Sequence, residues 1–243
     1  MEVEYMENPI VPPWLELPSE ITSMILQKLG TIDILKNADK VCTTWHQLCQ
    51  EPDMWQVIKL QNANTDDFWD SKDALEKIYR PAVDRSQGQL IDISIDYYGI
   101  ENMLNYMLNY VAQRSPQLKR LELICSYNVF GDELSASIYG YEKYDGEAIT
   151  IAENLPELHH LQLLGNKMAN EGLEAILNGC RHLESLDLRR CLNVHLGGDV
   201  LNRSNILDTL GTAPKILGLV LKCTILNHLM SIPMSKILVS VNT

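Results

Sequence analysis

Cys180, His182, Cys191 and His195 lie within a short stretch and are of the types that hold zinc, whose preferred ligands are thiolate and imidazole. Their settings point elsewhere. Cys180 falls in an Asn-Gly-Cys turn, and Cys191 follows a leucine-spaced segment at a place that suits a small buried side chain. No metal is expected, and a zinc-dependent enzyme is the weaker rival reading. His159-His160 offers imidazole for proton transfer, but no serine, cysteine or carboxylate accompanies it at an interpretable spacing. Cys42 sits among apolar residues without a basic neighbour, as a buried thiol does and an activated nucleophile does not. GxSxG, HExxH, phosphate-binding glycine loops and dinucleotide fingerprints are absent, and Gly197-Gly198 alone reads as a turn. The sequence therefore predicts no catalytic residue and no cofactor. What remains to be explained is binding.

The elements behind these residues fall into two kinds. Between Trp14 and Ile58 the chain reads as short amphipathic helices, too few residues to bury a good core alone. Pro18-Ser19 starts the first, with Glu20 near its N-terminal dipole. Ile21, Ile25, Leu26 and Leu29 recur at a spacing that predicts one apolar stripe. Gly30 reads as its stop, and Thr31 with Asp33 as the start of a second helix. A third is predicted over Ala38 to Leu48, with Val41, Cys42, Trp45 and Leu48 facing one way before Glu51-Pro52 ends it.

From residue 90 a different signature takes over. Leu90-x-x-Ile93-x-Ile95, Leu118-x-x-Leu121-x-Leu123, Leu158-x-x-Leu161-x-Leu163 and Leu183-x-x-Leu186-x-Leu188 share the form of a leucine-rich-repeat strand, and Asn166 and Cys191 occupy the position that closes it. Helical stretches over 103–112, 147–153 and 172–178 alternate with these strands, so the expected fold is α/β: a short solenoid of one strand plus one helix per unit. A helix over Asp73–Arg85 is expected to cap the first unit, bent or interrupted at Pro81. Alternation along each strand turns Asp92, Ser94, Asp96, Arg120, Glu122, His160, Gln162, Ser185, Asp187 and Arg189 away from the motif leucines, onto a concave face open to a partner. Ile216-x-x-Leu219-x-Leu221 reads as one more imperfect strand.

Composition narrows the partner. A net charge of −12 disfavours nucleic acid and anionic membrane, and no apolar run approaches a membrane span. The acidic, proline-containing start carries no signal-peptide pattern, and six irregularly spaced cysteines fit reduced thiols, so a cytoplasmic or nuclear setting is expected and the Asn202-Arg203-Ser204 sequon reads as a chance match.

The order Leu17-Pro18, Ile21, Ile25, Leu29, Val41-Cys42, Trp45 and Trp55 resembles the F-box pattern. The phrases LEKIYRPAVDRSQGQLIDISIDYYG and LPELHHLQLLGNKMANEGLEAILNGCRHLESLDLRRCLNV extend the resemblance to plant F-box/leucine-rich-repeat proteins of the Skp-interacting kind, over about residues 14 to 195. Thr43-Thr44 and His46 depart from the family around Trp45, where basic residues are frequent. The resemblance implies a non-catalytic substrate-recognition subunit of a Skp–cullin–F-box ubiquitin ligase. Leu17, Pro18, Ile21, Ile25 and Leu29 would meet the Skp adaptor, and through it cullin, with Val41, Cys42, Trp45 and Trp55 in support, while the repeats hold a target protein. The chain is expected to divide into a flexible start over 1–13, the F-box over 14–60, linker and capping helix over 61–89, repeats over 90–223 with an irregular insertion near 127–145, and a divergent tail over 224–243. A leucine-rich-repeat binding or inhibitor protein outside any ligase is the alternative.

Overall fold

The computed structural model describes residues 13–60, 72–97, 101–125 and 144–194. The expectations for the first twelve residues, for most of the insertion near 127–145, for His195 and for the tail with Ile216, Leu219 and Leu221 lie outside these. Five strands form one parallel sheet: β1 (Val57–Leu60), β2 (Asp92–Tyr97), β3 (Arg120–Cys125), β4 (His160–Leu164) and β5 (Ser185–Asp187), neighbours in space in the order of the sequence. Among the described residues, three short helices precede it, α1 (Ser19–Leu26), α2 (Thr31–Lys36) and α3 (Thr43–Leu48), and four longer ones lie between strands: α4 (Lys72–Arg85), α5 (Glu101–Arg114), α6 (Gly146–Asn154) and α7 (Asn170–Gly179). Helices α4 to α7 also pack in sequence order, each on the next. Strand order never reverses, unlike a doubly wound sheet.

The motif leucines build this sheet's core. All twelve, from Leu90, Ile93 and Ile95 to Leu183, Leu186 and Leu188, are buried. Backbone geometry repeats with them: the carbonyl of Ile91 accepts from the amides of Lys119 and Arg120, that of Lys119 from His159 and His160, and that of His159 from Glu184 and Ser185. The same fork joins the Gln56 carbonyl to the amides of Ile91 and Asp92. Trp55-x-x-Ile58-x-Leu60 is therefore a first unit with tryptophan in the leading position, all three side chains buried and Ile58 and Leu60 in register with Ile93 and Ile95.

This corrects the expected role of the helix over 73–85. It connects β1 to β2 rather than capping the array, and it runs unbroken through Pro81. The buried pairs Ile78-Tyr79 and Ala82-Val83 flank the proline and hold both halves against the sheet, offsetting a penalty of about 3 kcal/mol. Covering the first strand falls to the N-terminal helices, where the Thr31 hydroxyl accepts the Lys59 amide on the free side of β1. Leu26, Ile34, Ala38, Cys49 and Trp55 belong to the same core as the motif leucines.

Two further expectations change. The helix expected over 38–48 is interrupted: Ala38–Lys40 forms a 3-10 turn, Cys42 is extended, and α3 begins afterwards. The Cys42 sulfur accepts the Trp45 amide, so this cysteine caps the helix. The apolar stripe of α1 is split, with Leu26 fully buried and Ile21, Ile25 and the following Leu29 half-exposed.

Candidate docking surface

Helix α1 has two apolar sides. Thr22 and Leu26 take the inner one, and the Thr22 hydroxyl donates to the Pro18 carbonyl, keeping its polar atom satisfied. Ile21, Met24 and Ile25 share the outer one, at the i, i+3, i+4 spacing that makes neighbours on a helix. Leu17 leads into the helix, Leu29 follows it, and Val41 stands at the break before α3. Together with Trp14 these side chains are 39% to 59% exposed. A lone exposed leucine is ordinary; seven large apolar residues open to water on one short module form a surface suited to a protein partner.

Aromatic and polar contacts brace the module beneath. Trp14 stands edge-on to Trp45 at 5.5 Å, tying the entry segment to α3. Trp55 is 1% exposed and donates its indole N–H to the Cys49 carbonyl at 2.9 Å, so it supports the module from below. Burial, then the Asp39 charge, pushes the Cys49 thiol up to about 11 against an opposing pull from Arg85. Asp39 is a hub: its Oδ1 lies 3.0 Å from His46 Nδ1 and 3.3 Å from Gln50 Nε2, and its Oδ2 accepts from Arg85 Nη2 at 3.0 Å. A concavity of about 440 Å³ beside it is lined by Asp39, Lys40, Cys42, Thr43, His46 and Gln47. Trp14 and Met24 were not among the residues singled out from sequence, although Met24 lies three residues from Ile21 and so on its side of the helix.

A second surface lies on the sheet. Strand register sets Asp92, Arg120, His160 and Ser185 in one row, and Ser94, Glu122, Gln162 and Asp187 in the next. The rows are internally bonded. Glu122 accepts from the Ser94 hydroxyl at 3.0 Å and from the Gln162 amide at 2.8 Å. His160 Nδ1 and the Ser185 hydroxyl are 2.8 Å apart, and Arg120 Nε lies 3.4 Å from Asp92. Burial raises the Asp92 carboxyl, opposed by the Arg120 charge. Arg189, just past β5, folds back onto Asp187 at 2.8 Å. Asp96 is half-buried, in register with Ile124. The face is not open throughout: Ser94, expected on a face open to a partner, is 4% exposed.

The remaining chemistry-bearing residues do structural work. The Cys191 thiol donates to the Leu163 carbonyl at 3.0 Å, and the buried Cys180 thiol, pushed up to about 12 by burial, donates to the Leu155 carbonyl at 3.6 Å. His182 stacks on His159 at 6.0 Å. Among the described residues no three His, Cys, Asp or Glu side chains converge in a metal-binding group, and no helix is long and apolar enough to cross a membrane. Asn166 is buried, accepts the Met168 amide at 2.9 Å and donates to Glu147, which also accepts from the Tyr97 hydroxyl at 3.1 Å.

Comparison with known proteins agrees with this division. The F-box-like family model matches residues 14–61, the segment that carries the apolar surface. F-box/LRR-repeat protein 23 of Arabidopsis thaliana is 41% identical over 78% of this chain and 51% of its own length. F-box protein SKIP19 of the same plant is 40% identical over 78% of this chain and 73% of its own length. F-box/LRR-repeat protein 9, also from that plant, is 35% identical over 81% of this chain and 95% of its own length. The chain thus spans about half of the first of these relatives and most of the other two.

Proposed function

Because the chain belongs to the F-box/leucine-rich-repeat family, we propose that it is the non-catalytic substrate-recognition subunit of a Skp–cullin–F-box ubiquitin ligase. Leu17, Pro18, Ile21, Ile25 and Leu29 dock the Skp adaptor, which brings cullin. Val41, Cys42 and Trp45 extend or support that contact, and Trp55 holds it from beneath. The polar rows on β2 to β5 hold a target protein, whose lysines are thereby concentrated near a conjugating enzyme recruited elsewhere in the assembly. A cytoplasmic or nuclear location follows from that role.

One observation carries the reading: the large aliphatics of the F-box segment are half-exposed while a threonine and one leucine take the inner side of α1. A module serving its own chain alone would turn Ile21 and Ile25 inward. Covering such aliphatics supplies on the order of 1 kcal/mol each. A second reading rests on the Thr31–Lys59 bond: the helices cap the first strand of a leucine-rich-repeat binding or inhibitor protein outside any ligase. Capture of the full chain by immobilised Skp adaptor separates the two. Binding that Leu17→Ala with Pro18→Ala abolishes, in a chain that stays folded, supports the ligase reading; a wild-type chain that does not bind leaves the cap alone.

A further inference from the structure

The docking module and the sheet share a core, but apolar packing has little directionality. Two polar contacts between them stand out: the Thr31–Lys59 bond at the edge of β1, and a fork made by one side chain of α4. Arg85 ends α4, on the sheet side of the junction. Its Nη2 donates to Asp39 Oδ2 at 3.0 Å, its Nη1 to the Cys49 carbonyl at 3.5 Å, and its guanidinium lies over the Trp55 ring at 5.4 Å. All three partners lie in the segment 39–55, and two of them flank α3. The ion pair is largely withdrawn from water, its side chains 19% and 13% exposed. Asp39 is itself held by His46 and Gln50, so the fork grips a fixed point.

We propose that Arg85 is a positioning residue. It sets the angle between the adaptor-docking face and the polar sheet face, and so where a bound target is presented. The inference rests on the function proposed above, but its test does not depend on it. A flexible joint would spread the target's lysines over a larger volume and lower their effective concentration at the transfer site. A lysine keeps the charge at position 85 but lacks the planar fork that reaches carboxylate, carbonyl and ring together.

The experiment uses the full chain with spin labels attached through a ketone amino acid at Lys28 and Glu184, leaving the native thiols alone. Pulsed dipolar spectroscopy gives the distance distribution, and adaptor affinity is measured beside it. Arg85→Ala should roughly double the width of the distribution, with Arg85→Lys in between. Adaptor affinity should stay within about twofold of wild type. A folded Arg85→Ala chain of wild-type width overturns the proposal, whatever its melting temperature. Should Arg85→Ala not fold, Asp39→Asn removes the charge from the other side, and a wild-type width there overturns it equally. Failure of the wild-type chain to bind the adaptor tells against the ligase reading and leaves the width untouched.

Discussion

The Thr31 hydroxyl accepts the backbone N–H of Lys59 at 3.0 Å, across 28 residues of chain. That bond closes the outer side of β1, where an unpaired amide would invite another strand. Thr31 is 4% exposed, so water cannot readily replace it. Thr31→Val keeps the shape and orphans the amide, and should cost about 1–3 kcal/mol in urea unfolding. Thr31→Ser should recover most of it. Equal stability of the Val and Ser variants would mean the hydroxyl does not matter to the strand.

Neighbouring residues on α1 should separate stability from docking. Ile21→Ser with Ile25→Ser removes exposed aliphatics and should leave unfolding within about 0.5 kcal/mol of wild type. Leu26→Ala empties a fully buried position and should cost about 2–5 kcal/mol. Adaptor capture should fall at least roughly tenfold in the first variant, as expected when interface anchors are lost. Calorimetry and a titration with the adaptor read both. Loss of stability in the serine variant would place these residues in the chain's own core.

The difference between Ile25 and Leu26 marks where sequence reading stops. Period 3.6 shows that a short helix carries apolar residues on more than one side, but not which side meets the rest of the chain. The sheet was more legible, because a leucine or isoleucine at a motif position has one place to go and all twelve went there. The first unit was hidden because Trp55 fills the leading position, so one residue closes the docking module and opens the sheet. Pro81 does not interrupt its helix because the tertiary packing on both sides of it outweighs the local propensity. The break before α3 was invisible to periodicity, since a cysteine is an unusual helix cap.

The stacking of helices is tested at Gly179. A Cβ there would overlap the backbone of Ala152, carbonyl included, on the neighbouring helix. Backbone cannot swing aside as a side-chain end can, so Gly179→Ala must push α7 away from α6. A loss of about 1–3 kcal/mol in denaturant unfolding is expected, although alanine is the better helix former by up to about 1 kcal/mol. A stabilised variant would contradict this helix spacing.

Alkaline pH should weaken the fold through its buried thiols. Burial raises Cys49 to about 11 and Cys180 to about 12 from a reference of 9.0, so the folded chain keeps protons that the unfolded chain has released. A group with a raised folded pKa contributes its full stability below the unfolded value and loses it as pH climbs to the folded one. Stability should therefore decline from pH 9 towards about 11 for Cys49 and about 12 for Cys180. Tyr97, raised well above its usual value by burial and then by the Glu147 charge, adds to the decline at higher pH. Cys180→Ala should flatten the slope of urea midpoint against pH, even where it lowers stability at neutral pH by leaving the Leu155 carbonyl without its thiol. A slope identical to wild type would show that this thiol ionises as readily in the folded chain as in the unfolded one.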